Sequence, residues 1–229
     1  LNKLDEVSED IVNGSVIIHC AWSDVQNTMD AAHYSHAGEQ IKFISRIATF
    51  TPKKVISIGT CYEFGLRTGS VSVKDVPTPN TPYAQAKDFV RRASEFILEQ
   101  EAVDFVWARL FYLFGSGQHE KSLYSQLLSS IEREDKTFNM SKGEQLFDYM
   151  KVEDVADNLC ILATRRTSKI VHICNGYPIS VRDLVESILL EKGSKLKLNL
   201  GFYPYRAQDS LEMWGAESFA AQLRDLTEK

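Results

Sequence analysis

The stretch KKVISIGTC (residues 53–61) decides how the rest of the chain is read. It is a β-branched apolar run, Val55, Ile56 and Ile58, entered just after Pro52 and left at a hydroxyl, Thr60. A short run of this kind suits a strand buried on both faces, as in parallel sheets. GSVIIHCAW (14–22) has the same character. Between the two lies HYSHAGEQIKFISRIATF (33–50), with Ile41, Ile44, Ile47 and Ala48 at helical spacing. Strand, helix, strand in this order is a βαβ unit, which almost always crosses over right-handed.

The alternation continues. YAQAKDFVRRASEFILEQ (83–100) reads as an amphipathic helix with Phe89, Ala93, Phe96 and Ile97 on one stripe. DFVWARLFYLFG (104–115) is an apolar strand running into a glycine loop. SLYSQLLSSIERED (122–135) and VEDVADNLCILAT (152–164) are helices, the second opening on acids that suit a helix N-terminus. KIVHIC (169–174) is a strand. SVRDLVESILLEKG (180–193) is a helix with Ser180 as N-cap and Gly193 as its stop. After Gly201 the chain is aromatic and irregular, then helical near ESFAAQLRDL (217–226). This order implies an open, mostly parallel α/β sheet, with a smaller α/β lobe from about Gly115 onward capping its C-terminal edge. Ligands of such sheets sit in that crevice.

The 229 residues allow one large domain or a domain plus a lobe. The net charge of -5 speaks against a nucleic-acid binder, and no apolar run is long enough to span a membrane. Cys20, Cys61, Cys160 and Cys174 stand singly, most of them in apolar runs, which is the usage of a reducing compartment and of buried thiols. A cytoplasmic protein is expected. The first residue is Leu1 rather than methionine, so further sequence is expected upstream.

Tyr83 and Lys87 are four apart, so one helix face presents both. A free tyrosine titrates near pH ~10, but an ammonium within a few ångströms favours its phenolate. Such a pair suits general acid/base chemistry on alcohols and ketones. The Y-x-x-x-K pattern is weak alone. Thr60 at a strand end, a second strand ending at WARLFYLFGSGQ, and the proline-rich VPTPNTP leading into Tyr83 give it a site to belong to.

With these segments in place the chain resembles the extended short-chain dehydrogenase/reductase family, in its nucleotide-sugar epimerase, dehydratase and reductase branch. The resemblance rests on VIIHCAW, SIGTCYEFG, PYAQAK, ARLFYLFGSGQ, FDYMKVEDVADNL and HICNGYPISVRDLV, in this order over nearly the whole chain. It implies a Rossmann-like doubly wound parallel sheet, with residues 1–114 a partial cofactor-binding domain. Residues 115–229 would be a substrate-binding lobe interleaved with the last sheet strands. It implies Tyr83 as acid/base, Lys87 as its electrostatic partner on the nicotinamide ribose, and Thr60 as hydrogen-bond partner of the reacting oxygen. Cys20, Ala21, Trp22, Ile58 and Leu110 would line the nicotinamide half of NAD or NADP. Tyr62, Tyr112 and Arg206 would meet a nucleotide-sugar substrate. A homodimer through the two helices that follow the first two strands is implied as well.

The departures are informative. Ser35 stands at the position of the family asparagine that orders a water near the lysine, Phe147 at that of a diphosphate-facing arginine, and Tyr112 at that of a frequent asparagine. Cys61 and Tyr62 replace the Asp-Glu pair of 4,6-dehydratases, so epimerisation or 4-keto reduction is favoured over dehydration. No G-x-x-G-x-x-G occurs, and the chain is expected to begin after the first two βα units. Were that loop truly absent, the alternative is a non-catalytic sensor or scaffold that no longer holds a cofactor. His19 is expected to be a satisfied core histidine. His33 and His36 lack a third ligand, so no metal is expected and a solvated or dimer-contact role is. Nothing basic in nearby sequence activates Cys61.

Overall fold

The computed structural model describes residues 6–166, 169–205 and 210–227. Its centre is a four-stranded parallel sheet of β1 (Val16–His19), β2 (Lys54–Thr60), β4 (Asp104–Leu110) and β9 (Ile170–Ile173), in the order β1-β2-β4-β9. Register sets Ile56 beside Val106 and Thr60 beside Leu110. The side chains alternate as the pleat requires. Val55, Phe105 and Trp107 face a core built with α2 (Ala32–Ala48) and α3 (Pro82–Gln100). Ile56, Val106, Ala108, Val171 and Ile173 face a second core with α5 (Val152–Thr164) and Phe219 of α7 (Phe219–Thr227). Helices thus cover both faces, and the expected doubly wound Rossmann-like arrangement is present.

The rest of the chain forms the lobe. Strands β3 (Gly69–Val71), β7 (Leu146–Phe147), β10 (Ile179–Ser180) and β12 (Glu212–Gly215) make a small mixed sheet in the order β10-β7-β12-β3. β5 (Tyr112–Phe114) pairs with β8 (Tyr149–Lys151), and β6 (Thr137–Asn139) with β11 (Lys197–Asn199). Together with α4 (Leu123–Glu132) and α6 (Val181–Glu191) they enclose a third core around Phe64, Leu127, Val185 and Met213. Buried Asp148 ties the two sheets, accepting from the backbone N–H of Asn175 at 2.7 Å and Gly176 at 2.8 Å after β9, and from Gly215 at 3.3 Å. The short α1 (Glu9–Val12) precedes β1. Ser180 caps α6 by accepting from Asp183 N–H at 2.9 Å, and Gly193 follows with φ of 62°, as its sequence signals indicate.

Three expectations need correction. Phe89 and Phe96 do not form the buried stripe of α3: they are 58% and 66% exposed, and the inward face carries Tyr83, Ala86, Lys87, Val90, Arg91, Ser94 and Leu98. Polar side chains take the inward positions instead, among them Lys87 on the Ile58 carbonyl and Arg91 on Asp88. Cys20 and Cys160 are exposed, and only Cys61 and Cys174 are buried; all four are free. His33 is neither solvated nor at a dimer contact but 0% exposed.

Candidate active site

The site forms where β1, β2 and β4 end beside the start of α3. β2 ends at Thr60, which is both last strand residue and N-cap of a 3-10 turn, Cys61–Phe64. Its hydroxyl accepts from Tyr62 N–H at 3.3 Å, while Glu63 Oε1 accepts from Thr60 N–H at 3.0 Å. This reciprocal capping fixes the turn. Gly65 closes it with φ of 63°, and a Cβ there would fall 2.2 Å from the Thr78 carbonyl oxygen. Thr81 caps α3, accepting from Ala84 N–H at 3.2 Å, and Pro82 occupies the first turn. Tyr83 N–H donates to the Thr28 carbonyl at 3.2 Å, which binds the helix start to the loop after β1.

The fold brings Thr60, Tyr83 and Lys87 together. All three are buried. Burial pushes the Tyr83 phenol well above its ordinary value, the Thr60 hydrogen bond draws it back, and Cys61, Glu63 and Tyr62 push it up. Tyr83 therefore carries its proton at neutral pH. Lys87 Nζ lies 6.0 Å from the Tyr83 ring centroid and donates to the Ile58 carbonyl at 2.9 Å. Burial lowers Lys87 to about 8, with Glu63 and then Cys20 opposing the fall.

Cys20, Ala21 and Trp22 follow β1, and Ile58 and Leu110 stand near the ends of β2 and β4, so these five share one sheet edge with Lys87. Tyr62 lies edge-on to Tyr83, centroids 6.2 Å apart, and Tyr112 lies 6.1 Å beyond Tyr62. Tyr112 stacks on Phe147 at 3.9 Å and 21°, so the two form one aromatic pair. Tyr149 flanks both. Arg206 lies outside the described residues.

The remaining residues singled out by their sequence context find definite places. His19 is buried, hydrogen-bonded to Gln40 and stacked on Phe43, as expected of a core histidine. Cys61 is buried, and desolvation raises its thiol, so it is no nucleophile. Ser35 is exposed; the α2 side chains that reach Tyr83 and Trp22 are His33 and His36. Among the described residues no group of three His, Cys, Asp or Glu is placed to hold a metal.

Sequence reading missed the support beneath Thr60. Glu63 is 0% exposed, and its Oε1 also accepts from Trp107 Nε1 at 2.9 Å while Oε2 accepts from Arg109 Nε at 2.7 Å. Arg91 Nε lies 4.0 Å from Oε2, and Arg91 is itself paired with Asp88 at 2.8 Å. Gly59 leaves the space this needs, since a Cβ there would fall 2.2 Å from Trp107 Nε1. The available signal was an arginine inside the apolar run VWARLF and an acid inside TCYEFG, each requiring a buried partner.

Residues 2–174 match the model of the NAD dependent epimerase/dehydratase family. The chain belongs to this family. A relative, the dTDP-6-deoxy-L-talose 4-dehydrogenase (NAD(+)) of Aggregatibacter actinomycetemcomitans, is 27% identical over 208 residues, 90% of this chain and 77% of its own. Among solved structures, the UDP-N-acetylglucosamine 4-epimerase of Methanobrevibacter ruminantium superposes with a TM-score of 0.83 at 20% identity, covering 96% of this chain and 74% of its own. The UDP-glucose 4-epimerase of Thermotoga maritima gives 0.78 at 16%, covering 91% and 70%. Within the NAD dependent epimerase/dehydratase family the cofactor is NAD, and the reading of a non-catalytic scaffold is set aside. No helix among the described residues is long and apolar enough to cross a membrane.

Proposed function

We propose that the protein interconverts a carbinol and a ketone on a nucleotide-linked sugar, by epimerisation or by oxidation and reduction at the sugar's C4. The observation that carries this is the convergence of three buried side chains, Thr60, Tyr83 and Lys87, at one sheet edge. Tyr83 exchanges a proton with the sugar oxygen. Held protonated by burial, it is poised as a donor to a keto oxygen. Thr60 fixes that oxygen by hydrogen bonding, and Lys87 supplies positive charge behind the phenol. NAD, when bound, accepts or returns the hydride. The residues fit its nicotinamide half: Cys20, Ala21, Trp22, Ile58 and Leu110 form the edge that would line it, and Lys87 would hold its ribose. NADP is the alternative that the residues here do not select against.

Tyr62, with the Tyr112–Phe147 pair beyond it, forms a wall for the sugar, and Arg206 is assigned to the diphosphate. Cys61 and Tyr62 offer no carboxylate for elimination of water, which favours the reductase or epimerase reading over 4,6-dehydration. The 4-dehydrogenase relative and the 4-epimerase neighbours support chemistry at that carbon. We divide the chain into a partial cofactor-binding domain, 1–114, and a substrate lobe, 115–229. The exposed Tyr34, Phe89 and Phe96 on α2 and α3 support a homodimer through these helices. Four free cysteines support a cytoplasmic location. The test is a panel of UDP- and dTDP-linked hexoses incubated with NAD, read by NADH absorbance and by NMR of the sugar. Conversion at C4 is the expected result; no conversion of any member, by a preparation that binds NAD, refutes the proposal.

A further inference from the structure

The side chains around Lys87 include Trp22, so far given only a place on the nicotinamide edge, and His33, which the proposed chemistry leaves unused. Trp22 follows the end of β1, and its indole lies with its ring centroid 4.1 Å from Lys87 Nζ. The same ring meets Tyr83 edge-on, centroids 5.9 Å apart at 80°. Its N–H donates to His33 Nδ1 at 3.2 Å, and His33 Nε2 lies 3.0 Å from the Asn27 carbonyl oxygen. These two contacts leave the imidazole one arrangement. An indole N–H only donates, so Nδ1 accepts; a carbonyl only accepts, so Nε2 carries the hydrogen. His33 is thus neutral, fully buried and held at both nitrogens, with His36 packed edge-on against it and against Trp22.

We propose that Trp22 is a positioning residue for Lys87 and that His33 acts through it: the indole face seats the ammonium beside Tyr83, and His33 clamps the indole in that pose. The inference rests on the reading of Lys87 as the electrostatic partner of Tyr83. The geometry gives the reason for the seat. Lys87 has three N–H donors and sits 5% exposed, with the Ile58 carbonyl as its hydrogen-bond acceptor. The groups facing it are Glu63 from the turn after β2, Cys20 and His19 from the end of β1, His33 and His36 by way of the indole from α2, and Tyr83 from its own helix. Of these, Glu63 and then Cys20 favour the charged lysine, against a larger desolvation. An aromatic face a few ångströms from a desolvated ammonium attracts it through the ring quadrupole, with tryptophan the strongest partner. The aromatic side chain is also stiff where water is not, so it fixes position as well as charge.

The test needs no substrate. The full chain, labelled with carbon-13 at lysine Cε, is titrated by NMR, and the Lys87 resonance is assigned by its loss in Lys87→Met. Trp22→Leu is expected to move the Lys87 midpoint down by about one pH unit, the equivalent of an ordinary cation–π contact. Trp22→Phe, which keeps a ring but not the N–H, moves it by less than half as much. His33→Ala moves it in the same direction and speeds hydrogen exchange at the Trp22 indole; His33→Gln, which keeps an acceptor, restores both. His33→Ala adds nothing in the Trp22→Leu background, because it acts only through the indole. An unmoved midpoint in Trp22→Leu overturns the proposal. So does a His33→Ala effect that persists when Trp22 is gone. If His33→Ala does not fold, the Trp22 pair and His33→Gln decide alone. The outcome is separable from the catalytic reading: Tyr83→Phe with full turnover removes that reading while the midpoint shifts stand or fall independently.

Discussion

Glu63→Gln is the sharpest perturbation of the framework beneath the site. The substitution keeps volume and leaves one oxygen to accept from Thr60 N–H and Trp107 Nε1, now at 3.0 and 2.9 Å. It removes the charge opposite Arg109 and turns an amide N–H₂ toward Arg109 Nε, which now donates at 2.7 Å. Arg109 is 1% exposed, and its Nη1 already has no hydrogen-bond partner. Breaking one side of a buried ion pair costs about 3–5 kcal/mol. Because Arg91 keeps its own partner Asp88 and the retained oxygen keeps its two donors, a loss at the low end of that range, about 3 kcal/mol, is expected from urea unfolding followed by circular dichroism. The double variant Glu63→Gln with Arg109→Met removes the stranded cation and should return to within about 1 kcal/mol of the parent. A single variant within about 0.5 kcal/mol of the parent, or a double variant no better than the single, refutes the view that Glu63 and Arg109 compensate each other.

Other outcomes follow from the same geometry. Lys87 titrates near 8 in the fold against 10.5 ordinarily, so the unfolded chain binds more protons between those values. Its burial penalty is therefore full below pH 8 and fades as pH rises toward 10, where Tyr83 and Tyr149, both raised by burial, begin to oppose it. Lys87→Met should stabilise the protein at pH 7, by up to about 3 kcal/mol, and flatten stability between pH 8 and 10; equal or lower stability across that range contradicts the assignment. Gly59→Ala places a methyl against Trp107 and Glu63 and should cost about 2 kcal/mol or more in thermal or urea unfolding. Phe89→Glu with Phe96→Glu should convert the proposed dimer to a monomer by light scattering, with the melting curve of the monomer retained.

The sheet was legible because its strands are β-branched runs separated by helices of regular period, and β2 and β4 carried that signal over seven residues each. The lobe's strands of two to four residues fall below any periodic pattern. Thr60, Tyr83 and Lys87 were recognisable from order and spacing. The Glu63–Arg109 pair was not, since residues 46 apart meet only through the parallel register. The buried face of α3 escapes sequence reading for the same reason: hydrophobicity alone selects Phe89 and Phe96, whereas Lys87, Arg91 and Ser94 turn inward to buried surroundings. His33 reads as a surface residue because nothing local shows that Trp22 and the Asn27 carbonyl satisfy both its nitrogens.

The central claim is that Tyr83 carries the proton in sugar chemistry. It is tested most directly by Tyr83→Phe beside the parent in the nucleotide-sugar panel with NAD. Loss of turnover by about 10²–10⁴-fold, with NAD binding and melting temperature unchanged, is the predicted result. Turnover equal to the parent's on a converted substrate would contradict it.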